Sequence, residues 1–172
     1  KELSSNLKSI NPYSTVYGEP WMGGSSPLSS SASAKQDNAS SYEGYGAFND
    51  KFRDALIRGG LSDKKERGWI NNNTKVDQGD VNKILSGLNG ELFINAANKV
   101  SDPNKNVIYV TCHDNYTLAD RMEASEVTSK EEIKKMAIDA NSMVFSSKGT
   151  TFMLAGEEFL RTKQGDSNSY QS

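Results

Sequence analysis

Groups able to do acid–base chemistry stand where short apolar runs stop. Thr15-Val16-Tyr17 gives way to Gly18-Glu19-Pro20-Trp21, Val107-Ile108-Tyr109-Val110 runs into Thr111-Cys112-His113-Asp114, and Thr150 to Ala155 leads into Gly156-Glu157-Glu158. Carboxylates and one imidazole, with no Ser–His pairing beside them, limit the chemistry to acid–base work on a neutral substrate. Cleavage of a glycosidic bond has that character. A protonated carboxyl donates to the leaving oxygen, and ionised groups steady an oxocarbenium-like state. Glu19 is expected to be partly desolvated by Pro20 and Trp21, which favours its protonated form. Trp21 also offers a flat apolar face to a sugar ring.

Each of these residues has a plainer reading. Glu19 is equally a solvated loop carboxylate, and Trp21 a packing residue. His113, the one histidine of the chain, reads by default as structural and rules out a multi-histidine metal site. Asp114-Asn115 suits a turn that closes a strand, and Cys112 a small packing residue. Glu157, Glu158 and Arg161 fit a surface ion cluster of little energetic value. Asp37, Asp77 and Asp80 do not match the spacing of a calcium loop. No metal and no cofactor are expected.

Positioning such groups requires a scaffold of strands and helices. Residues 13–18 read as a strand, 25–43 as a long Ser-rich surface loop, and 46–49 as a brief strand. Phe52, Ala55 and Leu56 lie on one helical face that ends at Gly59-Gly60, before a polar loop over 61–76. Val81, Ile84, Leu85 and Leu88 predict a short helix stopping near Gly90. The run 107–110 is a strand buried on both faces. Apolar positions from Ile133 to Val144 predict a helix over 129–147, with Ser129 and Glu132 as a capping box and Gly149 as a stop. A last strand covers 150–155. Strand, loop, helix, strand, repeated, argues for an α/β fold with a parallel sheet, in which chemistry sits beyond the carboxyl ends of the strands.

Composition sets outer limits. The 172 residues are enough for a hydrophobic core, but only 35% are hydrophobic, which is low for a self-contained globule. The net charge of −2 suggests neither nucleic acid nor an anionic membrane surface as a partner. A single cysteine excludes an internal disulfide. The apolar runs are too short to span a bilayer. The chain starts at Lys1 rather than methionine and reads as a piece of a longer protein.

Four stretches, in order, carry a family resemblance: Tyr17-Gly18-Glu19-Pro20-Trp21, Phe48 to Asp54, Tyr109 to Asn115, and Ala155 to Lys163. Together they resemble the type I pullulanases, debranching enzymes of the alpha-amylase family of glycoside hydrolases. His-Asp at a strand end is shared across the wider family. The Gly-Glu-Pro-Trp and Gly-Glu-Glu-Phe-Leu-Arg-Thr-Lys forms narrow the resemblance to debranching enzymes.

The resemblance implies a partial (β/α)8 TIM barrel: strands five to eight with their helices and long βα loops, residues 1–172 being the C-terminal half of the catalytic barrel. It implies that Glu19 is the general acid/base after the fifth strand. Asp114, after the seventh, would bind and distort the sugar and stabilise the transition state, with His113 hydrogen-bonding the same sugar. Trp21 would line the cleft, and Asn168 and Tyr170 would bind glucan from the loop after the eighth strand. Glu157, Glu158 and Arg161 would support the rim.

One departure matters. The family's nucleophile is an aspartate after the fourth strand in a Phe-Arg-Phe-Asp-like motif, and this chain contains no such motif; the motif ending in Asn-His expected after the third strand is missing too. A complete barrel takes about 250 residues, so a half-barrel that is inactive alone is expected. Its open edges would favour self-association or pairing with the missing N-terminal half. The implied substrate is an α-glucan such as pullulan or a branched maltodextrin; preference for α-1,6 over α-1,4 linkages comes from the resemblance alone. A non-catalytic glucan-binding module and a structural fragment remain alternatives. The compartment stays open between bacterial cytoplasm and secretion or the cell surface.

Overall fold

The structure is a computed structural model that describes residues 2–22, 24–60, 65–71 and 77–169. In chain order its elements are α1 (Glu2–Ile10), β1 (Tyr17–Gly18), β2 (Gly46–Phe48), α2 (Asp50–Ile57), α3 (Gln78–Leu88), β3 (Leu92–Asn95), β4 (Asn98–Val100), β5 (Asn106–Ile108), α4 (Leu118–Ala124), α5 (Lys130–Phe145) and β6 (Thr150–Thr151). The main sheet has four strands in the order β1-β2-β5-β6. Every neighbouring pair is parallel. Parallel strands that lie side by side in chain order, the last two pairs joined through helices, have the wiring of a segment of an α/β barrel. The sheet is incomplete rather than closed, with β1 and β6 at its edges.

Helices α2 and α3 fill the crossover from β2 to β5, and α4 and α5 the crossover from β5 to β6. The described residues between β1 and β2 form no α-helix, only a 3-10 turn at Gln36–Asn38, as the polar composition of this stretch predicts. None of the described helices is long and apolar enough to cross a membrane.

Both faces of the sheet are apolar, but in different ways. The helix-covered face packs Ile108 and Val110 against Phe52 and Leu56 of α2, Leu118 and Met122 of α4, and Ile133, Ala137 and Val144 of α5. On the other face the alternate residues are aromatic. Tyr17 meets Phe48 edge-on at 5.7 Å between ring centroids, and Phe48 meets Tyr109 at 4.9 Å and Phe152 at 5.2 Å. That geometry suits the ring quadrupoles. The period of two along β5 thus divides its side chains between the two layers.

A polar pair is buried where β2 meets β5. The Asn49 side-chain amide donates to Asn106 Oδ1 at 2.8 Å, while Asn106 donates to the Gly87 carbonyl of α3 at 3.2 Å. Asn49 Oδ1 accepts from the Phe52 amide at 2.9 Å and so caps α2. One fully buried side chain starts a helix and fixes two strands.

The structure shortens three predicted strands and adds elements. The ladder keeps only Tyr17–Gly18 of 13–18, Asn106–Ile108 against the predicted 107–110, and Thr150–Thr151 of 150–155. Tyr109 and Val110 are still buried. A strand needs a partner as well as burial, and the neighbouring chains diverge into rim loops. Helices α1 and α4 and the antiparallel β3–β4 hairpin were not legible. The hairpin turns through Asn95, whose side chain accepts from the Ala97 amide at 3.0 Å; its Asn-Ala-Ala-Asn turn lacks the glycine that usually marks such a site. Helix α5 is capped by Ser129, which accepts from the Glu132 amide. It ends at Phe145, ahead of Gly149.

Asn49→Ala removes a helix cap and leaves Asn106 without its partner in a buried site. It is expected to cost about 2 kcal/mol, read as a fall in the urea midpoint with unchanged slope.

Candidate active site

Each parallel strand delivers its following residues to the same rim. After β1, Gly18 packs against the Tyr45 hydroxyl so closely that a Cβ there would stand 2.6 Å from its oxygen. The chain then passes Glu19 and the buried Pro20, whose carbonyl accepts from the Gln36 amide at 3.0 Å. Trp21 emerges 43% exposed. Glu19 is itself exposed, so the predicted desolvation by Pro20 and Trp21 does not occur: the proline turns inward and the carboxylate points to solvent.

After β5, Thr111 is buried and His113 exposed. His113 Nε2 lies 3.6 Å from Asp114 Oδ2, whose side chain is 44% exposed. Donor atoms of Glu19, His113 and Asp114 all lie within 4.8 Å of one another. Two residues nearly a hundred positions from Glu19 in sequence thus converge on it. The same spacing would admit a cation, and among the described residues this is the group of three or more His, Cys, Asp or Glu donors with that geometry. Exposed acidic groups commonly stand this close without an ion.

An open cleft of about 710 Å³ adjoins the triad, bordered by Trp21, Asp114 and Asn168 together with Asp50, Arg53 and Asp54. The structure therefore gathers Trp21, Asp114 and Asn168 around one space, while Glu19 and His113 join through Asp114. Tyr170 lies outside the described residues. A second cleft of about 820 Å³, bordered by Lys51, Asp54, Arg58, Lys83 and Phe93, shares Asp54 with the first but includes none of Glu19, Trp21, His113, Asp114 or Asn168. The sequence-predicted site residues Trp21, Asp114 and Asn168 border the first.

The acidic and basic residues at the start of α2 were not foreseen as part of the site. Arg53 pairs with Asp54 through Nε at 2.8 Å and donates to the Tyr109 hydroxyl at 2.6 Å. Burial works against its charge, but the bonded Asp54 carboxylate outweighs this and raises its pKa. Burial also raises the Tyr109 phenol and the Cys112 thiol, leaving both protonated near neutrality. The signal was the Phe-Asn-Asp-Lys-Phe-Arg-Asp stretch directly after a strand, the position where this fold class places its site.

After β6, Gly156 adopts φ +104°, where a Cβ would stand 2.8 Å from Arg161. This turn sends Glu157 inward to 5% exposure, where it accepts from the Thr111 hydroxyl. Burial pushes its pKa up from 4.5 to about 7, against the lowering effect of hydrogen bonds from Thr111 and Asn141. Glu157 is thus a buried brace between two strand ends rather than part of a surface ion cluster.

Asp120 on α4, 2% exposed, braces the same side. It accepts from the Thr117 hydroxyl at 2.8 Å, the Lys163 amide at 2.7 Å and the Thr162 hydroxyl. Burial raises its pKa, yet these bonds to the ionised form win and hold it below the usual range.

The chain and its fold have counterparts among known proteins. The pullulanase of Bacillus subtilis is 33% identical over the whole of this chain, which spans 23% of that relative's length. The solved pullulanase of Bacillus acidopullulyticus is 38% identical with a TM-score of 0.84, over 98% of this chain and 20% of its own. The chain is homologous to one segment of the pullulanases. The pullulanase of Paenibacillus barengoltzii, solved with maltohexaose and alpha-cyclodextrin, superposes with a TM-score of 0.85 at 34% identity over 98% of this chain and 26% of its own. No family model matches the chain. A structural match to one segment of pullulanases agrees with the barrel wiring of β1, β2, β5 and β6.

Glu157 gives a pH signature. Its pKa is raised on folding, so the stability it contributes is present below 4.5 and is lost as pH rises through about 7. The full span corresponds to roughly 3 kcal/mol. Glu157→Gln should remove that part of the pH dependence, with urea midpoints of variant and wild type diverging most above pH 7.

Proposed function

We propose that the chain is part of a pullulanase-like glycoside hydrolase that cleaves α-1,6-glucosidic branch linkages in pullulan, starch or glycogen with retention of configuration. The observation that carries this reading is the convergence of Glu19, His113 and Asp114 within 4.8 Å, beside a cleft bordered by Trp21 and Asn168. The relatives supply the substrate class: a Bacillus subtilis pullulanase was solved with maltose and one from Anoxybacillus with maltotriose.

In this reading Glu19 protonates the glycosidic oxygen as the bond to the anomeric carbon breaks. Its exposed position suits that role, because in the second half of the reaction it must reach the water that attacks the glycosyl intermediate and take its proton back from that water. Asp114 accepts hydrogen bonds from sugar hydroxyls of the same residue, and its charge opposes the positive charge that develops on the ring. Such preorganised electrostatic help is typically worth several kcal/mol of barrier. His113 is a hydrogen-bond donor to that sugar, Trp21 a stacking wall, and Asn168 and Tyr170 contacts from the last loop.

The nucleophile comes from outside residues 1–172. These residues act as the C-terminal half of the catalytic barrel, with β1 and β6 pairing to strands of the remaining part. A retaining mechanism without its nucleophile forms no glycosyl-enzyme intermediate, so the 172-residue chain by itself releases no reducing ends from pullulan.

The test is Glu19→Gln in the full-length protein. Turnover of pullulan is expected to fall by about 1,000-fold, with maltotriose binding retained in calorimetry. Unchanged turnover would sink the assignment of the acid. Glucan binding with no hydrolysis by the full-length wild type would favour a binding module instead.

A further inference from the structure

The Lys163 ammonium reaches from the loop after β6 to the turn after β5. Its Nζ donates to the His113 carbonyl at 2.8 Å and to the Asn115 carbonyl at 2.7 Å. These two carbonyls flank Asp114. Asn115 has φ +62°, a left-handed conformation that asparagine tolerates better than most residues. The turn therefore brings two backbone oxygens to one side, where a compact cation with three donors can hold both.

Lys163 is itself held. Its amide donates to Asp120 Oδ2 at 2.7 Å, and the neighbouring Thr162 hydroxyl donates to the other oxygen of that carboxylate. Thr162 Oγ1 also accepts from the Gln164 amide at 2.8 Å. Asp120 is buried in the first turn of α4, directly downstream of the 113–117 segment. A buried carboxylate fixes the backbone of one loop, and the side chain of that loop grips the next.

We infer that Lys163 is a positioning residue for Asp114, setting where that carboxylate stands by holding the carbonyls on either side of it. The inference rests on the role given to Asp114 above. Lys163 touches backbone only, so it acts on catalysis through the position of Asp114. A carboxylate misplaced by about 1 Å can cost on the order of 100-fold in rate, whereas the freed carbonyls, near the surface, are readily hydrated. Loss of Lys163 should therefore be felt in turnover far more than in folding.

The experiment compares wild type, Lys163→Met and Lys163→Arg in the full-length protein, with pullulan kinetics, thermal melting and crystal structures. Lys163→Met is expected to lower kcat about 100-fold with little change in KM, a melting temperature close to wild type, and a displaced 113–115 turn. Lys163→Arg, which can still donate to both carbonyls, should recover part of kcat. An unchanged kcat in Lys163→Met overturns the inference. If that variant does not fold, Lys163→Gln, which keeps polarity without the charge and ends one bond short of both carbonyls, is held to the same criteria. If wild type itself does not hydrolyse pullulan, the catalytic reading fails separately. The position of the turn then decides Lys163 alone: displacement supports the clamp and superposition overturns it.

Discussion

The rim residues depend on one constraint: β5 is hydrogen-bonded on both edges and buried on both faces. Its register with β2 and β6 decides how far Thr111 to Asn115 project beyond the sheet, and hence whether Asp114 meets Glu19. Val107, Ile108, Tyr109 and Val110 are all essentially excluded from solvent. A slip of one residue would exchange the aromatic and aliphatic faces and drive Tyr109 into the helix layer. The Asn49–Asn106 bond adds a polar lock, since a register shift would leave two buried amides unpaired.

Charged groups are sorted by depth. Glu19, His113 and Asp114 remain accessible, as the acid–base role proposed for them requires. Arg53, Asp120 and Glu157 lie beneath them, each bonded to a different part of the rim. Arg53 joins α2 to Tyr109, Asp120 joins α4 to the 162–163 loop, and Glu157 joins the loop after β6 to Thr111. Burial makes such bonds stiff, because breaking one leaves a polar group without water. The rim is therefore braced from beneath, while the side chains of Glu19, His113 and Asp114 stay open to solvent.

The face of the sheet away from the helices carries one connected aromatic group. Tyr17 of β1, Phe48 of β2, and Tyr109 and Phe152, which directly follow β5 and β6, form one edge-to-face group. The rings face away from the helices, on the side that a barrel encloses. Tyr17 on the edge strand is still 45% exposed, whereas Tyr109 directly after β5 is covered. Exposure thus falls from the edge strand β1 toward β5 inside the sheet.

By itself the sequence determined the α/β class, the polar first crossover, the capped helix α5 and the strand-end location of Glu19, His113 and Asp114. Those features are local: apolar period, cap chemistry and the abrupt change from apolar run to ionisable group are written in neighbouring residues. Tertiary structure decided the rest. It exposed Glu19 where Pro20 and Trp21 suggested cover, buried Glu157 where a surface ion cluster was equally plausible, and brought Arg53 and Lys163 to the rim. Strand lengths also fell to it, because a ladder ends where its partner leaves. Burial, pairing and the meeting of distant loops belong to the whole packing of the chain, and no window of adjacent residues contains them.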